Sequence, residues 1–259
     1  MNEKELRQAL VHLPLQEVRF LPRVGSTNDI ARELINQGGQ GISLVYAEEQ
    51  TAGRGRAGRQ WLSQKGASLV FSLAIHSELV VPKPVSLISG LGAISVCFAL
   101  EGLGMTPRVK WPNDILLAGR KVCGILQENL WQGDDLVGVA LGFGLNLSSG
   151  SVPPAEQLDF PATSLEQASG SRVGEMELLK SILGAFLAPA CGGSTIGILQ
   201  AMEARLAYMG EWVEVWVAGE TRILGQVRGL SEDGSLMLHS AEGAKIAVPF
   251  GEIHLRPVV

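Results

Sequence analysis

The chain has 259 residues, 46% of them hydrophobic and 18% charged, with a formal net charge of −5. That composition supplies a substantial buried core and excludes a disordered chain, and the acidic balance excludes duplex DNA as a partner for the surface as a whole. The apolar runs are too interrupted for the roughly 18 residues a membrane span needs, and Cys97, Cys123 and Cys191 have neither disulfide nor zinc-site spacing, which suits a reducing cytoplasm.

The charged N-terminus lacks the apolar segment of a signal peptide. Glu3 to His12 reads as a short helix stopped before Pro14, with no further helices to complete a helix-turn-helix. Gly25-Ser26-Thr27-Asn28 then offers polar capping groups to a helix over Asp29–Ile35. Ser43–Ala47 reads as a strand, and Ser68–His76 alternates, with Leu69, Phe71, Leu73 and Ile75 on one face. Val85–Leu103 is apolar on all sides but carries Ser and Gly, as expected of a buried core helix.

Short strands follow at Arg108–Trp111, Ile115–Leu117 and Lys121–Leu130, the last two joined at the turn Ala118-Gly119-Arg120. Val137–Leu147 is an apolar strand interrupted by Gly142 and Gly144, and Ser148–Pro161 is a polar, proline-containing loop. Glu175–Leu187 and Ile196–Tyr208 have helical spacing. From Glu211 the chain changes to short alternating segments (WVEVWV, RILGQVRGL, SLMLH, KIAVPF, IHLR) separated at Ala218-Gly219, Asp233-Gly234 and Glu242-Gly243. That spacing predicts a small SH3-like barrel appended to a mixed α/β unit.

The stretch GRGRAGRQW, Gly53–Trp61, matches the G-x-G-x-x-G pattern of a dinucleotide-binding turn. Such a turn must open a helix, whereas Arg59–Gly66 is short and polar and a strand resumes at Ser68. Arg/Gly segments that bind nucleic acid come in several copies or beside basic tails, and this one is single and internal. The reading that remains is a loop whose glycines let the backbone approach a ligand and whose arginines offer charged forks to phosphate or carboxylate oxygens. The bland alternative is a solvated basic loop.

Four stretches in the order Ser26-Thr27-Asn28, EEQTAGRGRAGRQW (Glu48–Trp61), VKWPNDILLAGRKVCGILQE (Val109–Glu128) and GFGLNL (Gly142–Leu147) resemble the bacterial biotin protein ligases. The resemblance covers roughly residues 18 to 259. It implies an α+β fold: a mixed-sheet catalytic domain of the biotin/lipoate ligase type over residues 1–209 and a C-terminal SH3-like β-barrel domain over 210–259. It also implies a two-step reaction, in which biotin and ATP with Mg²⁺ give biotinyl-adenylate and a lysine of a biotin carboxyl carrier protein then displaces AMP. Such chemistry needs no enzyme nucleophile; it needs cations between two anions, close positioning and exclusion of water.

By the same resemblance, Ser26, Thr27 and Asn28 contact biotin, with a simple helix cap as the alternative, and Gln50 reads the ureido edge. Gly53, Arg54, Gly55, Arg56 and Arg59 belong to a flexible loop that folds over biotin and the phosphates. Trp61 closes the site or merely packs in the core. Lys121 holds the biotin carboxylate and the α-phosphate, and Lys110 either reaches a phosphate or is a surface charge. Asn113 and Asp114 lie at the nucleotide site, where Asp114 binds Mg²⁺ or orients the incoming lysine. Gly124 and Leu126 form part of the biotin wall, and Gly142, Gly144 and Asn146 the strand beneath the nucleotide. Lys121, Asp114 and Arg56 are the residues assigned to catalysis.

Ala57 stands where the family often has another basic residue, and Cys123 reads as a small buried hydrophobe. The resemblance implies a short form without a DNA-binding domain, hence no repressor activity, and is compatible with a homodimer through an edge of the central sheet. The barrel is too small to hold the chemistry and is expected to support nucleotide or carrier binding through Arg256. The competing expectations are a lipoate or octanoate ligase or transferase and a non-catalytic biotin- or nucleotide-binding regulator.

Overall fold

The computed structural model describes residues 2–80, 84–188, 194–217, 221–250 and 253–258; Cys191 and the Ala218-Gly219 turn lie outside them. Helix α1 (Glu3–Ala9) is closed by a capping box between Asn2 and Glu5 and ends before the expected His12. Strand β1 (Glu17–Leu21), absent from the sequence expectation, runs parallel to β2 (Ile42–Ala47), with α2 (Thr27–Asn36) crossing between them.

Antiparallel pairings build the rest of the main sheet: β3 (Ser68–His76), then β4 (Arg108–Lys110), β5 (Asp114–Leu117), β6 (Arg120–Gln132) and β7 (Asp135–Asn146), in the spatial order β1-β2-β3-β7-β6-β5-β4. β5 and β6 meet at a two-residue turn, Ala118-Gly119, in which both residues have positive φ, the geometry that matches strand twist.

Both faces of this sheet are covered. On one, Leu69, Phe71, Leu73 and Ile75 of β3 and Val139, Leu141, Phe143 and Leu145 of β7 join the main core with α3 (Leu87–Glu101) and α5 (Glu175–Leu187). On the other, Ala31, Leu34 and Ile35 of α2 pack on Val45, Ala74 and Ala140. The alternation of β3 therefore marks two packed faces, and every one of its positions is buried. Helix α3 is the expected core helix, wedged between the sheet and α6 (Thr195–Glu203).

Helix α6 stops at Glu203, short of the expected Tyr208, because the next residues bond to β4: Val109 donates to Arg205 O and Ala207 donates to Val109 O. A short helix α4 (Leu165–Ser169), closed by a Ser164–Gln167 capping box, follows the polar loop. The C-terminal strands β8 (Trp212–Val217), β9 (Thr221–Leu230), β10 (Leu236–His239), β11 (Lys245–Val248) and β12 (Ile253–Pro257) form an antiparallel sheet ordered β11-β10-β9-β8-β12. Its apolar side continues the main core: Val213, Val215, Val227, Leu236, Leu238 and Leu255 belong to one cluster with Trp111 and Ile115.

Candidate functional site

A cleft of about 470 Å³ opens over the α2 face of the sheet. Its floor is cut by missing side chains. Gly124 of β6 and Gly144 of β7 are paired in register, as are Leu126 and Gly142. A Cβ on Gly144 would lie 2.4 Å from the Trp61 indole, and one on Gly142 would lie 2.4 Å from Asn28 Oδ1. The two glycines that interrupt the apolar strand are therefore what lets Trp61 and α2 approach it. Trp61 both packs on this floor and lines the cleft, and its buried Nε1 has no hydrogen-bond partner among the described residues.

The first turn of α2 supplies a polar wall. Ser26 occupies the N-cap position, but its hydroxyl makes no capping bond. Thr27 and Asn28 are buried, and Gln50 Oε1 accepts from the Thr27 N–H at 2.7 Å. Behind them stands Ser72 of β3, fully buried and within hydrogen-bond distance of both Thr27 and Asn28.

The GRGRAGRQW stretch forms a small hairpin closed by bonds from Trp61 N to Gly53 O and from Gly55 N to Arg59 O. The last glycine of the pattern, Gly58, takes φ of +69° at the tip, the turn geometry glycine tolerates best; no helix follows it. Gly53 does not line the cleft. It pairs with Trp61 at the base of the hairpin, where a Cβ would lie 2.5 Å from Trp61 O. Arg54 is at the rim, but its guanidinium is bidentate to Asp29 at 2.7 and 2.9 Å and also reaches Glu128 at 3.2 Å. That bond holds the Asp29 carboxyl below its usual range and anchors the hairpin to α2. Arg56 crosses the cleft to Asn113 Oδ1 at 3.1 Å, and Asn113 in turn donates to Ile125 O.

The opposite end of the cleft is cationic. Lys121 Nζ lies 2.6 Å and Lys110 Nζ 3.8 Å from the carboxylate of Asp114. Burial alone would raise the Asp114 pKa, but the charges of Lys121 and Lys110 outweigh it and hold the group below the ordinary carboxylate value. Burial lowers that of Lys110; the Asp114 carboxylate opposes the shift, and Lys121, Arg59 and Arg256 add to it. A bulge next to Lys121, where Leu116 faces Lys121 and Ile115 faces Cys123, re-aims the strand. The Lys121 backbone is gripped by Pro161 O and Thr163 N, both at 2.8 Å.

Gly55, Arg59, Gly124, Leu126, Gly142 and Asn146 also line this cleft, as does Arg256 of the C-terminal sheet. Sequence reasoning missed Phe160, whose ring Lys110 overlies at 4.6 Å, and the second layer of Ser72, Asp29 and Glu128. Cys123 is fully buried and its thiol is pushed well up by burial, so it is the inert hydrophobe expected. Asp114 is a poor fit to a protein-held magnesium ion. Two lysines neutralise it, and among the described residues no group of three or more His, Cys, Asp or Glu could hold a metal.

A mixed sheet with a glycine floor, a hydrogen-bonding wall and a cationic end defines a class that the comparisons place: residues 20–146 match the biotin/lipoate A/B protein ligase family. Within it, the chain is 32% identical to the bifunctional ligase/repressor BirA of Bacillus spizizenii, across 95% of this chain and 76% of that protein. It is 31% identical to the biotin–[acetyl-CoA-carboxylase] ligase of Paracoccus denitrificans, across 90% of this chain and 98% of that one. The solved biotin protein ligase of Aquifex aeolicus, in complex with biotin and ATP, shares the fold with a TM-score of 0.78 at 29% identity, covering 94% of this chain and 100% of that one. The chain belongs to the biotin protein ligase family.

Proposed function

We propose that this protein is an ATP-dependent ligase that activates biotin as biotinyl-5′-adenylate and transfers it to a lysine of a biotin carboxyl carrier protein. The observation that carries this reading is the joining, in one cleft, of the Thr27–Asn28–Gln50 wall to the cations around Asp114. The wall suits a urea ring, which offers N–H donors and a carbonyl acceptor. The cations suit a carboxylate that must attack a phosphate of like charge.

In the first step a carboxylate oxygen of biotin bonds to the α-phosphorus and pyrophosphate leaves. Lys121 and Lys110 lower the repulsion between the two anions, and Arg56 closes over them from the hairpin. In the second step the carrier amine attacks the acyl carbon, AMP departs with the bonding electrons and the amine loses a proton. Asp114 holds Lys121 in place and, remaining an anion, can also bind the incoming ammonium. Magnesium would arrive as part of the nucleotide substrate and add positive charge there, and none of these residue roles is routed through it. A ligand acceptor above Gly144 would satisfy the buried Trp61 N–H, which costs about 1–3 kcal/mol while unpaired. The reading includes a cytoplasmic setting, no DNA partner, Arg256 at the nucleotide, and a homodimer paired through an outer edge of the seven-stranded sheet.

The test is mass spectrometry of an apo carrier domain incubated with the protein, ATP and Mg²⁺, with biotin or lipoate in parallel. The expected result is a biotin-sized mass gain that is absent with lipoate. A gain with lipoate alone would establish the competing ligase, and neither a mass gain nor bound adenylate would favour a binding regulator.

A further inference from the structure

Behind the polar wall runs a chain of oxygens that is short of a proton. Gln50 Oε1 lies 2.9 Å from Thr27 Oγ1, which lies 2.7 Å from Ser72 Oγ, which lies 2.6 Å from Asn28 Oδ1. Both ends are fixed as acceptors. The Thr27 backbone N–H also points at Gln50 Oε1, and a backbone N–H can only donate, so that atom is the amide oxygen. At the far end, Asn28 Nδ2 lies 2.6 Å from Glu128 Oε2 and 3.4 Å from Leu126 O. Carboxylate and carbonyl oxygens only accept, so the Asn28 carbonyl must face Ser72.

Three contacts then share the protons of two hydroxyls. The shortest takes the Ser72 proton, and the Thr27 proton then serves either Gln50 or Ser72 but not both. One contact of the chain is therefore always left lone pair to lone pair until a further donor arrives. Thr27 and Gln50 line the cleft, whereas neither Ser72 nor Glu128 does.

We propose that Glu128 and Ser72 are positioning residues that set ligand specificity from behind the wall. Glu128, braced by Arg54 at 3.2 Å, fixes the Asn28 amide, and Ser72 relays that direction to Thr27. The chain is thereby held one proton short, a deficit that a ligand N–H fills at the cleft-facing oxygens of Thr27 and Gln50, freeing the Thr27 proton for Ser72. The identity of that N–H, a ureido group of biotin, rests on the functional reading above; the direction of the relay does not. If Asn28 turned over, Nδ2 would donate to Ser72, Ser72 to Thr27 and Thr27 to Gln50. The chain would be satisfied without any ligand, and the demand for a donor would vanish. A carboxylate at position 128 forbids that reversal. Glu128→Gln permits it, because its amide nitrogen can donate to the Asn28 carbonyl.

The experiment compares wild type, Glu128→Gln, Ser72→Ala and the double variant, using biotin and analogues in which oxygen replaces one or the other ring N–H. Wild type should reject the analogue lacking the N–H that is read by about 10- to 100-fold in kcat/KM. Glu128→Gln should raise the KM for biotin about tenfold, lower kcat less, and cut the discrimination to within about threefold. The double variant should be no worse than either single one, as expected of residues in one network. Retained discrimination, or additive losses, would overturn the proposal. Denaturant unfolding of the same four ligand-free proteins provides a readout independent of biotin. Coupled free energies support the relay even if wild type proves unable to use biotin, an outcome that would sink the functional reading alone. Additive free energies would sink the relay whatever the ligand.

Discussion

At Lys110 the charge is held at a cost. Its side chain is only 12% exposed, and burial, opposed by Asp114 and reinforced by the cations Lys121, Arg59 and Arg256, sets its pKa below the ordinary 10.5. The folded state thus disfavours the charged form, so loss of the proton as pH rises through the depressed value relieves the fold rather than weakening it. The same loss removes a cation from the cationic end of the cleft. If Lys110 faces the phosphates, the KM for ATP should therefore start to climb below pH 10.5, with no accompanying fall in Tm from this group. Lys110→Arg, which keeps its proton throughout, should push that rise to higher pH. A KM for ATP that is flat through pH 10.5 in wild type would rule out a phosphate role for Lys110. Asp114 behaves in the opposite sense: its depressed carboxyl keeps its pairing with Lys121 down to the ordinary value of 3.8, and that contribution is lost only as pH falls further.

Strand β7 shows how an element prepares a site by omission. Gly138, Ala140, Gly142, Gly144 and Asn146 alternate onto the α2 face, and a Cβ on Gly138 would lie 2.8 Å from Ile35 just as one on Gly142 would crowd Asn28. Gly144→Ala should displace the Trp61 indole, since over-packing of this kind costs about 1–3 kcal/mol. The expected readouts are red-shifted, more readily quenched tryptophan emission and weaker biotin binding; an unchanged spectrum would mean that Trp61 does not rest on this floor. These glycines were legible because they break an apolar run, as the arginine hairpin was legible because its chemistry is contiguous. Strand β1 was not: only Val18 of its five residues is buried, and its strand character comes from pairing with β2. The end of α6 was hidden for the same reason, its continuation having been taken by β4. Ser72 and Glu128 read as an ordinary strand serine and an ordinary surface acid. Only the register of β3, β6 and β7 brings them behind Asn28.

On the scale of the whole molecule, the C-terminal sheet is built into the site rather than tethered to it. Trp111, beside the cleft residues Asn113 and Asp114, is 1% exposed, donates Nε1 to Gly234 O at 3.0 Å and packs on Phe250 with ring centroids 5.2 Å apart. Leu255 and Arg256 return from β12 to line the cleft itself. A chain cut after Met209 would uncover Trp111 and leave its N–H without that partner, a loss of about 1–3 kcal/mol before the apolar contacts are counted. Such a truncation should melt more than about 5 °C lower and lose activity through disorder of the Trp111–Asp114 segment, so it cannot by itself say what the barrel contributes to chemistry. Arg256→Ala separates the two effects, because an exposed arginine can be removed with little strain. If Arg256 faces the nucleotide, its loss should leave Tm within about 2 °C, since surface substitutions rarely exceed 0.5 kcal/mol. It should also raise the KM for ATP about three- to tenfold, the worth of one charge-assisted contact. A raised KM for the carrier domain with ATP unaffected would move Arg256 to the docking face. If neither constant changed and the truncated chain still melted like the full one, the barrel would be a passenger.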